Sequence, residues 1–132
     1  MNRSAIVCVD DEVIILAALK SELRNAFGNQ FQYETATSAA LAMELIGELQ
    51  ADSIEVILIL SDWLMPVMKG DEFLKQVRER YPGIKAILVT GNADERSLRS
   101  VLEDGLVRAV ISKPWKAVDL LTLVKECCIP QT

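Results

Sequence analysis

The chain has 132 residues, of which 51% are apolar and 25% charged, with a net charge of −5 and no histidine. That length suits one domain with a sealed core, and the apolar content argues against disorder. The acidic balance argues against nucleic acid as a direct partner, and the lack of histidine excludes His metal ligands, His general bases and Ser–His–Asp triads.

Short apolar runs alternate with stretches of helical period, which is the signal of βαβ units. AIVCV reads as the first strand and ends at Asp10 and Asp11. A first helix carries Leu16, Leu19, Leu23 and Phe27 at three-to-four spacing. FQYET alternates Phe31, Tyr33 and Thr35, as an edge strand does. Ser38 is placed to cap a second helix with a stripe of Leu41, Leu45 and Leu49, flanked by Ala42 and Ile46.

VILIL is apolar on both faces, so it is expected at the centre of a sheet covered on both sides. It ends at Asp62, and Pro66 and Gly70 mark the loop that follows. A third helix starts near Asp71, carries Phe73, Leu74, Val77 and Tyr81, and stops at Pro82–Gly83. AILV, the fourth strand, ends at Thr90 and Gly91. A fourth helix over Glu95 to Glu103 has the weakest stripe, Leu98, Val101 and Leu102. AVIS, the fifth strand, ends at Lys113, and a fifth helix runs from about Val118 to Cys127.

The count is (βα)5. Right-handed crossovers then give a doubly wound parallel α/β sheet of the flavodoxin-like kind, with expected strand order 2-1-3-4-5. One domain over 1–132 is expected, and the four residues after Cys128 leave no room for an output domain. No apolar run reaches the ~20 residues of a membrane span. MNRSAIV lacks a signal peptide's basic and apolar regions, so a cytoplasmic location is expected. The three cysteines show no framework spacing: Cys8 reads as core, and of Cys127 and Cys128 one is expected to face in and one out.

The reactive groups all fall where apolar runs stop. In a parallel sheet those ends share one edge, where open α/β sheets bind ligands. Asp10, Asp11 and Asp62 would bring three carboxylates close together, and their repulsion is unrewarded without a cation. Mg2+ prefers oxygen ligands and needs two or three carboxylates, with Mn2+ as a substitute. Asp62 ends the most buried strand and is the candidate nucleophile, able to form an acyl phosphate. Lys113 can neutralise phosphoryl oxygens, Thr90 can donate a hydrogen bond to them, and Gly91 allows close backbone approach. The Lys113–Pro114 bond is a candidate for the cis form. A lone Asp at a strand end is ordinarily a cap or turn former. Five matching groups, each ending the appropriate strand, are hard to explain as caps. Trp63 and Trp115 flank the site and read as packing.

At VDDE, SDWLMPVMKG, LVTG and SKPW the chain resembles the receiver domain of two-component response regulators, over almost its whole length. The resemblance implies phosphorylation of Asp62 by a sensor histidine kinase or a histidine phosphotransfer protein, followed by altered binding to an output domain or target protein, or by homodimerisation. It implies Mg2+ held by Asp11, Asp62 and the backbone carbonyl of Leu64, with Asp10 acting through water. It makes Thr90 the switch hydroxyl and Lys113 the phosphate-binding lysine. The family often has Tyr or Phe three residues before that lysine; here Val110 stands there, which puts readout by an aromatic flip in doubt. PGIKAILVTG and SKPW are similar to receivers joined to cyclic-nucleotide or HD-type outputs. Two other readings compete. One is a receiver that docks without phosphate. The other is an aspartyl phosphatase of the haloacid dehalogenase type, an enzyme whose Asp-x-Asp-x-Thr this chain lacks after its first strand.

Overall fold

The computed structural model describes residues 3–91 and 95–128; Met1, Asn2 and the tail after Cys128 lie outside the described residues. Five parallel strands form one sheet in the order β2-β1-β3-β4-β5, as expected. The strands are β1 (Ser4–Val9), β2 (Gln32–Ala36), β3 (Glu55–Ser61), β4 (Lys85–Thr90) and β5 (Ala109–Ser112). The helices are α1 (Val13–Phe27), α2 (Ala39–Ala51), α3 (Gly70–Arg80), α4 (Glu95–Glu103) and α5 (Ala117–Cys128), with a 3-10 turn over Gly28–Gln30.

Alternation along the strands divides the core between two layers. Ala5, Val7 and Val9 face α2 and α3, together with Ile59, Phe73 and Leu88. Ile6 and Cys8 face α1 and α5, together with Leu58, Leu60, Ile87 and Leu120. β3 is central and paired on both sides, which explains a run apolar on both faces.

The predicted face of α1 is buried at Leu16, Leu19, Leu23 and Phe27. Ser38 caps α2 by accepting a hydrogen bond from the Leu41 N–H at 3.1 Å. Three expectations shift by a residue or two. The buried stripe of α2 is Ala39, Ala42, Ile46 and Leu49, while Leu41 is exposed, because the helix turns its small residues to the sheet. In β2, Thr35 is exposed although it shares the face of Tyr33, and Ala36 on the opposite face is buried in the α2 layer; the alternation holds, but cover on the first face ends before this position of the edge strand. Only Val101 of α4 is buried; Leu102 is exposed. Cys127 and Cys128 are both half-buried rather than split between inside and outside. No helix among the described residues is long and apolar enough to cross a membrane.

Candidate functional site

Backbone hydrogen bonds carry the sheet one step past its strands and so fix where the site residues begin. The Asp10 N–H donates to the Ala36 carbonyl at 3.2 Å, the Asp62 N–H to the Val9 carbonyl at 3.0 Å, and the Lys113 N–H to the Thr90 carbonyl at 3.1 Å. Asp10, Asp62 and Thr90 are buried despite being polar, whereas Asp11 is exposed at the rim. One carboxylate oxygen from each of Asp10, Asp11 and Asp62 lies within 4.8 Å of the others.

Lys113 reaches into this cluster. Its Nζ lies 2.7 Å from Asp10 Oδ2 and 3.4 Å from Asp62 Oδ2. Asp10 Oδ1 accepts the Glu12 N–H at 2.9 Å, and Asp62 Oδ1 accepts the Trp63 N–H at 2.8 Å. Five sequence-distant groups therefore share one edge, as the strand ends implied. The Lys113–Pro114 bond is cis.

The electrostatics follow from burial and charge. Burial, then the Asp10 charge, raises the Asp62 pKa above the ordinary carboxylate value; Lys113 and the Trp63 N–H oppose this. Burial alone would depress the Lys113 ammonium. Its hydrogen bond to Asp10 and the charges of both acids outweigh that and raise its pKa. The lysine thus remains charged in the pocket, while the Asp62 carboxylate is more basic than a surface aspartate.

The other expected residues are placed as follows. Leu64, two positions after Asp62, has an exposed side chain. Val110 packs against the α2 and α3 layer. In the β4–β5 register Thr90 pairs with Ser112 and Leu88 with Val110, so Val110 is diagonal to Thr90 on one face of the sheet. Trp63 is buried among the residues of that layer. Trp115 flanks the site only indirectly: its Nε1 donates to Glu22 of α1 at 3.0 and 3.1 Å, tying the β5–α5 connection to that helix.

The glycine with a structural duty at the site is Gly70, not Gly91. A Cβ on Gly91 would make only ordinary contact with Lys113 Cβ, at 3.6 Å. A Cβ on Gly70 would collide with the Asp62 carbonyl oxygen and crowd the Trp63 Cα. The Gly70 N–H donates to the Trp63 carbonyl at 2.7 Å, fastening the start of α3 to the residue beside Asp62. In sequence this glycine reads only as loop punctuation, because the contact it makes is eight positions away. Also unforeseen is Val67, a fully exposed residue with φ 73°. The Met68 N–H donates to the Pro66 carbonyl at 2.8 Å, closing a γ-turn around it.

A model of the response regulator receiver domain matches residues 6–125. The hydrogenase transcriptional regulatory protein HoxA of Cupriavidus necator is 31% identical over 125 residues, which cover 95% of this chain and 24% of that protein. The chain therefore spans about a quarter of the length of this relative. Among solved structures, the signal receiver domain of an HD domain-containing protein from Pseudomonas fluorescens is 28% identical. It superposes with a TM-score of 0.82, covering 96% of this chain and 94% of that one. A response regulator receiver domain protein from Methanospirillum hungatei is 32% identical with a TM-score of 0.79, covering 93% and 91%.

Proposed function

The chain belongs to the response regulator receiver family, and from that premise we propose that Asp62 accepts a phosphoryl group from a histidine kinase or histidine phosphotransfer protein. The observation that carries this reading is Lys113 Nζ, held between Asp10 and Asp62 at 2.7 and 3.4 Å beside an acid cluster.

The donor set is hard oxygen in close array, which fits Mg2+ better than a softer metal. Asp11 and Asp62, the Leu64 carbonyl, and Asp10 through water would hold it. Mg2+, when bound, supplies positive charge to the transferring phosphoryl oxygens. The rest of the chemistry is done by the chain. An Asp62 carboxylate oxygen attacks phosphorus, an O–P bond forms, and the P–N bond to the donor imidazole breaks with its electron pair returning to nitrogen. Lys113 exchanges its carboxylate partners for the phosphoryl oxygens as a mobile point charge. Thr90 donates its hydroxyl to the same group, and Val110 sets how much space its movement leaves. This is signalling by one covalent event and its slow reversal, not multiple-turnover catalysis. We assign the domain to the cytoplasm, consistent with three free thiols, and its partners to a kinase or phosphotransfer protein, an output domain or target, and a second phosphorylated copy.

Acetyl phosphate with Mg2+ is expected to add one phosphoryl group, read by intact-mass spectrometry, and Asp62→Asn or EDTA to abolish it. Mg2+ at a hundredfold excess over its Kd stabilises the native state by about 2.7 kcal/mol. The wild-type Tm is expected to rise accordingly, and that of Asp11→Asn much less. Undiminished labelling of Asp62→Asn would remove the assignment. No labelling of wild type under any donor would favour docking without phosphate.

A further inference from the structure

We propose that Trp115 and Glu22 are positioning residues for Lys113: the indole of the β5–α5 connection is moored to α1, and this mooring holds the lysine between Asp10 and Asp62. Trp115 Nε1 donates to both Glu22 oxygens, at 3.0 and 3.1 Å. An indole N–H can only donate and an ionised carboxylate can only accept, so the two groups match, and the charge strengthens their bond. The effect on phosphoryl transfer rests on the role proposed above for Lys113; the mooring itself does not.

The lysine needs such support because its own strand supplies little. β5 is four residues long, pairs with β4 alone and buries only Ile111. The Lys113 N–H extends that ladder by one bond, to the Thr90 carbonyl at 3.1 Å. Pro114 has no N–H to extend it further. Trp115, the next residue, is half-buried against the layer of α1 and α5 and tied to α1. That helix is the firm partner: Leu16, Leu19, Leu23 and Phe27 are all buried, and Glu22 directly precedes Leu23.

Docking of α5 does not explain the bond. Leu120 and Val124 already seat that helix in the same layer, and both are fully buried. What the bond fixes is the connection at 113–116, between the end of β5 and the start of α5. Two residues of chain span at most about 7 Å, so freedom at Trp115 passes to Lys113 with little loss. The lysine stem is flexible, and its Nζ stands 2.7 Å from Asp10 Oδ2 and 3.4 Å from Asp62 Oδ2. A misplacement of about 1 Å can cost on the order of 100-fold in rate. Loosening, in which the correct position is still visited, is expected to cost about tenfold.

The test compares three variants. Trp115→Phe keeps a ring but loses the N–H, Glu22→Ala loses the acceptor, and Glu22→Gln retains an amide oxygen that still accepts. The first readout is exchange of the Lys113 ammonium protons with water, followed by 15N NMR. It is expected to quicken about tenfold in Trp115→Phe and Glu22→Ala and to stay within about twofold of wild type in Glu22→Gln. The second is the rate of phosphoryl uptake from acetyl phosphate with Mg2+, expected to fall about tenfold in the same two variants and to be restored by glutamine. A bond that served stability alone would lower the Tm of Trp115→Phe and Glu22→Ala and leave both readouts unmoved. The ammonium readout needs no phosphoryl transfer, so it decides the mooring even where wild type takes up no label, a result that would remove the role of Lys113 and not its placement. The proposal is overturned by wild-type ammonium exchange in Trp115→Phe and Glu22→Ala, by uptake in them as fast as in a labelled wild type, or by Glu22→Gln behaving as Glu22→Ala.

Discussion

Helices α1 and α4 cover opposite layers of the sheet and are held very differently. α1 buries Leu16, Leu19, Leu23 and Phe27 over 15 residues, whereas α4 buries Val101 alone over nine. The strands beneath follow suit: β1 is buried at every position from Ala5 to Val9, while β5 is buried only at Ile111. The two buried acids of the site follow β1 and β3, in the firmly packed half. Thr90 ends β4, which is buried from Ala86 to Thr90, and Lys113 alone follows the loosely packed β5. The buried acids and Thr90 therefore stand on firmly packed strands, and Lys113 borders the part of the fold that shifts at least cost.

The largest expected effect tests this contrast directly. Leu23→Ala in α1 is expected to lower the free energy of unfolding by about 2–5 kcal/mol. Val101→Ala in α4 removes two buried methyl groups and is expected to cost about 1–2 kcal/mol. Urea unfolding of both variants measures the pair; equal losses would erase the distinction between the halves.

A smaller effect concerns thiols at the two ends of the packing scale. Burial pushes the Cys8 thiol of β1 up to about 12. Burial and then the neighbouring Cys127 push Cys128, at the end of α5, up to about 12 as well. The native state keeps each proton where the unfolded chain, with a thiol near 8.5, loses it. The associated stability is complete below that unfolded value. It falls by about 1.4 kcal/mol per pH unit as pH rises toward the native value. Between about pH 9 and about pH 10 the wild type is expected to lose about 1 kcal/mol more than Cys8→Ala. Parallel pH profiles from chemical unfolding would mean that Cys8 opens locally, contrary to a rigid β1.

The smallest effect sharpens the comparison within the site itself. Val67 is β-branched and held at φ 73° on the surface. Such a residue strains the backbone by about 1–2 kcal/mol, of which glycine recovers part after its own entropy cost. Val67→Gly is therefore expected to raise stability by about 0.5–1 kcal/mol, seen as a higher Tm. A lower Tm would show that the side chain contributes packing which outweighs the strain.

Much of this was legible because the signals are local. Four of the five strands announce themselves as short apolar runs stopped by reactive groups, and β2 shows itself by its alternation. The central place of β3 follows from a run apolar on both faces, and Ser38 caps where its type and position say it should. Errors arose where tertiary packing overrides composition. Leu41 is more apolar than Ala42, yet close approach of α2 to the sheet favours the alanine. Thr35 keeps the period of two that the sequence shows, yet it is left exposed at the edge of the sheet. Gly70 and the Glu22–Trp115 bond depend on contacts between distant segments, which no local pattern carries.

The alternation that sorts Ala5, Val7 and Val9 into one layer and Ile6 and Cys8 into the other also restricts how this chain can change length. Deleting one residue inside β1 would send every later side chain of the strand to the wrong layer. Deleting two would restore the layers but draw Asp10 back by about 7 Å, out of reach of Lys113. Insertions and deletions are thus confined to connections, chiefly those at the edge away from Asp62. The interval from each strand's first paired residue to the group at its carboxyl end is therefore fixed by the geometry of the sheet, whereas the loops at the far edge carry no such constraint.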